Sequence, residues 1–241
     1  MSDFDFQKGE LILIDKPYKW TSFDVVKSVK GQARRITGIK RIKVGHAGTL
    51  DPLATGLLLI CTGKKTKEID TFQVQEKEYT GTIYLGATTP CFDLEQEVDQ
   101  RFDISHITEE QIQKVKAQFL GEIEQTPPIY SAVKIDGKRA YEYARNDEEV
   151  KIKAKRINIY EFSLMRIELP EIDFRIRCSK GTYIRSIARD FGLALNNGAH
   201  LTALRRTKIG DFKVEDAMTP AAFKLMCLED EGFHLKNIDI K

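Results

Sequence analysis

The segment Gly45-His46-Ala47-Gly48-Thr49-Leu50-Asp51-Pro52-Leu53-Ala54-Thr55-Gly56 constrains this chain more than any other. Its glycines let backbone pass where a side chain would block it. Pro52 fixes its own φ and turns Asp51 away from helical conformation. The apolar run Leu57-Leu58-Leu59-Ile60-Cys61 follows at once and reads as a buried strand anchoring the loop. One carboxylate is thus held stiffly at a strand edge, with a histidine five residues before it. A lone Asp-Pro pair is most simply a turn. Set among these glycines and backed by a buried strand, Asp51 reads as a reactive group on display.

The 241 residues, 41% hydrophobic and 31% charged, suit one large globular domain or one domain with a small appendage. No apolar stretch approaches the roughly 18 residues of a membrane span, and the acidic start Met1 to Phe6 lacks the order of a signal peptide. Cys61, Cys91, Cys178 and Cys227 lie far apart, so neither a zinc site nor a disulfide framework is expected, and reduced cytoplasmic thiols are. Net charge is only +2, but it is segregated. No acid lies between Asp24 and Asp51, where Lys27, Lys30, Arg34, Arg35, Lys40, Arg41 and Lys43 cluster. Lys151, Lys153, Lys155 and Arg156 form a second basic stretch, and Arg175, Arg177, Lys180, Arg185 and Arg189 a third. Each stretch singly is an ordinary solvated face; together they suit a phosphate backbone.

Leu11 to Ile14 reads as a buried strand. Ser22 is placed to cap a helix with Val25, Val26, Val29 and Ala33 inward, ending near Gly38. Tyr79 to Leu85 reads as strand, and Thr108 to Gln111 as a capping box opening a helix through Phe119. Residues 121–150 look like an excursion, with Pro127-Pro128, a turn at Asp136-Gly137 and a helical piece from Ala140 to Arg145. Strands resume at Arg156 to Ile167 and Ile172 to Cys178, Gly181-Thr182 opens a helix, and Leu201 to Val214 is extended. Strands and helices mix without a regular βαβ beat, so the expected class is α+β.

Several separated segments resemble the bacterial tRNA pseudouridine-55 synthases, the TruB family: Leu13-Ile14-Asp15-Lys16-Pro17 with Thr21-Ser22, the Asp51 loop, Lys77-Glu78-Tyr79, and Gln125 to Lys134 with Ala140 to Arg145. Cys178 to Arg185 and Ala199 to Thr207 complete the set. The resemblance spans about residues 9–217. It implies the pseudouridine synthase catalytic fold, a mixed and mostly antiparallel sheet flanked by helices and loops. Its implied domain is 1–217, with 121–150 touching RNA. Residues 218–241 are expected to be a short tail, without the PUA-type domain that many members carry. The sequence departs from the family at Cys91 and Gln96, where Thr and Gly are common.

The resemblance implies that uridine at position 55 in the tRNA T loop is flipped out and isomerised. Asp51 is the nucleophile, Tyr79 stacks on uracil or relays a proton, and Arg185 keeps the carboxylate ionised and aimed. Tyr183 and Leu204 wall the uridine pocket, His46 contacts RNA or fills a gap, and Lys16 grips phosphate. Without the motifs, the same residues would be a turn acid, a packing aromatic and a surface cation. Isomerisation changes no redox state, so no cofactor or metal is expected. The expected partner is the tRNA T stem-loop, with no membrane and a monomeric protein in the cytoplasm. Attack at C1′, directly or after a glycal forms, and attack at C6 of the ring both remain open. The rival readings are an RNA-binding module without catalysis and a nucleotide hydrolase. The second fails because Leu58 and Lys65 replace P-loop residues around Gly63-Lys64.

Overall fold

The computed structural model describes residues 4–131, 133–135, 137–145, 150 and 152–228. The chain divides into two compact units, Met1–Gln75 with Arg205–Lys241, and Glu76–Leu204.

In the first unit, β1 (Leu11–Lys16) turns Ile12, Ile14 and Lys16 inward. α1 (Ser22–Thr37) follows and ends at Gly38 in the left-handed region, as expected. Its N-cap is Thr21 rather than Ser22. The Thr21 hydroxyl accepts from the Asp24 amide, and the Asp24 carboxylate accepts from the Thr21 amide. β2 (Val44–His46) and β1 both pair antiparallel with β3 (Thr55–Thr62). A 3₁₀ turn, Gly63–Glu68, leads into α2 (Ile69–Gln73). The run Leu57 to Cys61 is apolar throughout because β3 is covered on both faces. Leu58 and Ile60 pack with Val25 and Val29 of α1, and Leu57, Leu59 and Cys61 pack with Phe72 of α2.

The second unit opens with β4 (Lys77–Leu85), β5 (Ala87–Thr88) and β6 (Gln100–Arg101). Then come α3 (Glu109–Ala117), β7 (Gly121–Gln125), β8 (Lys134–Ile135), β9 (Lys138–Arg139) and α4 (Ala140–Arg145). β10 (Lys155–Glu168), β11 (Glu171–Cys178), α5 (Ile184–Ala194) and β12 (Ala199–Ile209) follow; from Arg205 onward β12 belongs to the first unit. The strand order is β12-β4-β11-β10-β7, with β4/β11, β11/β10 and β10/β7 antiparallel. Phe119, Phe162, Phe174 and Phe191 interlock over this sheet at centroid distances of 5.8–6.2 Å. Burying each stabilises the unit by about 1.5–3 kcal/mol before entropy is counted. Gly121 to Gln125, which the sequence reading assigns to an excursion, is instead an edge strand on Lys155 to Ile159. The turn at Gly137, between β8 and β9, and α4 lie where expected, the two short strands being additional; Asp136 of the turn is outside the described residues.

β13 (Phe212–Lys213) returns along β12, which itself runs parallel to β3 at Arg205 and Arg206. Residues 220–228 are helical, and Phe223 and Cys227 join the core of Ile12, Ile14 and Val25. Residues 218–228 are therefore built into the first unit. The acidic run Glu229-Asp230-Glu231 of the expected tail lies outside the described residues. The class is α+β, as expected. Among the described residues no helix is long and apolar enough to cross a membrane.

Candidate active site

The loop carrying Asp51 joins β2 to β3 and is tied down by three side chains of its own unit. The Ser22 hydroxyl accepts from the Leu50 amide at 2.9 Å and donates to the Leu50 carbonyl at 3.1 Å. Arg206 is buried; its Nη2 donates to Gly48 O at 3.0 Å, Nη1 to Thr49 O at 3.4 Å and Nε to Leu57 O at 2.8 Å. Lys16 Nζ donates to Pro52 O at 3.2 Å, Trp20 O at 2.6 Å and Pro17 O at 3.1 Å. Pro52 O also accepts from the Lys19 amide at 3.0 Å. The carbonyls on both sides of Asp51 are thus fixed, and its side chain is half-buried.

Gly56 is required by what passes beside it. At φ +105°, a Cβ there would sit 2.3 Å from Arg206 O and 2.7 Å from Arg206 N. Neighbours on a strand point to opposite faces. Arg206 turns inward to the loop, while Arg205 pairs with Asp15 at 2.7 Å.

Lys16 does not occupy the place of a phosphate-gripping surface cation. It is fully buried, and its ammonium is spent on three carbonyls. Burial pushes its pKa down to about 8, only partly offset by the Asp51 carboxylate. His46 is held below its ordinary pKa, first by burial and then by the Arg206 charge, so it is neutral at pH 7. The first unit thus brings Lys16, His46 and Asp51 together around one loop.

In the second unit, Arg185 on α5 is buried. Its Nη1 donates to Cys91 O at 3.0 Å and its Nη2 to Tyr130 O at 2.9 Å; Nε lies 3.6 Å from Asp93 Oδ2. Asp93 is itself held by the Cys91 thiol and the Glu95 amide, both 3.0 Å from Oδ1. Cys91, the residue that departs from the family pattern, thus donates to a carboxylate much as a threonine hydroxyl would. Burial, and then the contact with Asp93, push its thiol pKa up.

Tyr183 precedes α5. Its amide donates to Gln125 Oε1 at 2.8 Å, and its carbonyl accepts from Gln125 Nε2 at 3.1 Å. Tyr79 is buried on β4 opposite Ile176, and Leu204 is half-buried on β12. The third basic stretch is only in part a free cationic face: Arg177 pairs with Glu76 and Glu161, and Arg189 with Asp190, while Arg175 and Lys180 are exposed. Among the described residues no cluster of three or more His, Cys, Asp or Glu could hold a metal ion.

The sequence reading missed Ser22, Asp93 and Arg206 as parts of this arrangement. No local pattern signals them in advance, because their partners Leu50, Arg185 and Gly48 lie far away along the chain.

Residues 34–184 match the family described as TruB family pseudouridylate synthase (N terminal domain). Residues 185–237 match the tRNA pseudouridylate synthase B C-terminal domain. The chain belongs to the TruB family of pseudouridylate synthases. It is 57% identical over 225 residues to the tRNA pseudouridine synthase B of Flavobacterium johnsoniae, covering 93% of this chain and 98% of that protein. Identity to the protein of the same name from Phocaeicola vulgatus is 55% over 219 residues, covering 91% and 93%. Among solved structures, a chain of a Cbf5–Nop10–Gar1 complex superposes with a TM-score of 0.68 at 30% identity, over 98% of this chain. A chain of an H/ACA RNP bound to a substrate RNA containing 2′-deoxyuridine gives 0.65 at 27%, over 96% of this chain. This TruB-family chain spans only 58% and 56% of those two chains. The fold is that of the pseudouridine synthases, and the protein is an isomerase.

Proposed function

We propose that this TruB-family isomerase converts uridine to pseudouridine at position 55 in the T loop of tRNA, with Asp51 as nucleophile. The observation that carries the reading is the Asp51 loop. Its carbonyls at 48, 49, 50 and 52 are pinned by Arg206, Ser22 and Lys16, which is the preorganisation a nucleophilic carboxylate needs. The relatives named tRNA pseudouridine synthase B support tRNA as the substrate.

The reaction breaks the N1–C1′ bond, turns the base, joins C5 to C1′ and releases the proton from C5. Asp51 supplies the nucleophile, Tyr79 stacks on the extruded uracil or moves its proton, and Arg185 is the fixed guanidinium of the site. Tyr183 and Leu204 wall the pocket, and His46, neutral at pH 7, contacts the RNA without acting as base. Flipping the uridine costs a few kcal/mol, which phosphate contacts along the Lys27 to Lys43 stretch offset.

The test is to incubate the protein with a tRNA transcript carrying tritium at uridine C5 and to map the product. Tritium release with pseudouridine at position 55 alone is expected. Tight tRNA binding without release would favour a non-catalytic RNA-binding module. Release from another position would contradict the T-loop assignment.

A further inference from the structure

Lys155 opens β10 and differs from its basic neighbours. Lys153 is exposed, and Arg156 pairs with Glu122 at 3.3 Å. Lys155 is turned inward, its Nζ 4.4 Å from the centroid of the Tyr183 ring. A Cβ built on Gly181 would lie 3.3 Å from the same Nζ. The ammonium therefore rests on the Gly181–Tyr183 turn, two residues before Arg185.

Among the described residues it has no carboxylate partner; it lies over the π face of Tyr183. Burial pushes its pKa down, and among the described residues no neighbouring charge offsets this. A π face returns about 0.5–2 kcal/mol to a cation, less than a full ionic partner gives a half-buried ammonium. The arrangement is an incomplete cation site beside Tyr183, the proposed wall of the uridine pocket.

We infer that Lys155 is a substrate-binding residue that takes a phosphodiester oxygen of the RNA strand beside the base lodged against Tyr183. This rests on the function proposed above. A phosphate suits the site better than a uracil carbonyl, because a compact ammonium gains most from a full negative charge.

The experiment compares Lys155→Met, Lys155→Gln, Lys155→Arg and Lys153→Met in the full chain. Tritium release from the tRNA transcript is followed across a salt series. Lys155→Met and Lys155→Gln should raise KM about tenfold, the scale of one charge-assisted hydrogen bond, with kcat within about twofold. The slope of log KM against log salt should fall by about 0.7–0.9, the loss of one phosphate contact. Lys155→Arg should restore both to near wild type, and Lys153→Met should change neither. Unchanged KM and slope in both neutral variants would overturn the proposal while pseudouridine formation by the wild type stands. An equal effect from Lys153→Met would also overturn it, since diffuse charge would then explain the loss. Absence of turnover by the wild type would overturn this proposal and the function together.

Discussion

Arg206 is nearly inaccessible, yet three of its donors reach the carbonyls of Gly48, Thr49 and Leu57. A buried guanidinium left unpaired would cost several kcal/mol, so arginine and loop hold each other in place. Arg185 is held in the same manner by Cys91 O and Tyr130 O, acceptors 94 and 55 residues away along the chain. Replacing it by lysine keeps the charge but not the planar fork. Arg185→Lys is expected to lower kcat by about a hundredfold or more while tRNA binding, measured by filter retention, stays near wild type. Wild-type turnover would remove Arg185 from the site. His46 gives a prediction in pH. Its folded pKa lies below the unfolded 6.5, so the unfolded chain binds the extra proton first. Its contribution is complete above about pH 6.5 and is lost as pH falls through the folded value. Thermal melts should show the wild type losing more stability on acidification below pH 6.5 than His46→Gln; parallel curves would contradict the assignment. At this scale Asp51 was legible from its glycines and proline. The choice between Arg205 and Arg206, and the acceptors of Arg185, were not, because they depend on strands and loops distant in sequence.

The strand β3 decides the first unit. Its unbroken apolar run was legible as buried, and the structure explains it by cover on both faces. Gly56 near its start was legible as a place where backbone must pass, although the passing segment, β12, was not. Gly56→Ala should cost at least about 2 kcal/mol in urea titrations, since φ +105° strains any side chain and the added Cβ would overlap Arg206 backbone. A loss under about 0.5 kcal/mol would show that β12 moves aside easily. The start of α1 shows how closely spaced signals compete. Thr21 and Ser22 are both good caps, and sequence preference alone favours Ser22. Thr21 wins because Asp24 completes its capping box, which frees Ser22 to bind Leu50. β7 was lost within the expected excursion for a related reason. Gly-Glu-Ile-Glu-Gln has one apolar side chain, and only its pairing with β10 makes it a strand.

At the scale of the whole molecule, family membership followed from motifs scattered along the chain, and the division into units did not. The chain leaves the first unit after Gln75 and re-enters it at Arg205, within one continuous strand. No change of composition marks either point, because a strand reads alike on both sides of such a boundary. The packing of Phe223 and Cys227 with residues near the N-terminus was equally hidden, since it joins segments some two hundred residues apart. The central claim nevertheless rests on one carboxylate. Asp51→Asn preserves shape and the backbone contacts of the loop while removing the carboxylate proposed as nucleophile. The direct measurement is tritium release from the tRNA transcript under single-turnover conditions, with tRNA affinity measured on the same preparation. Wild-type affinity with no detectable release is expected; release at a rate near wild type would contradict Asp51 as the nucleophile.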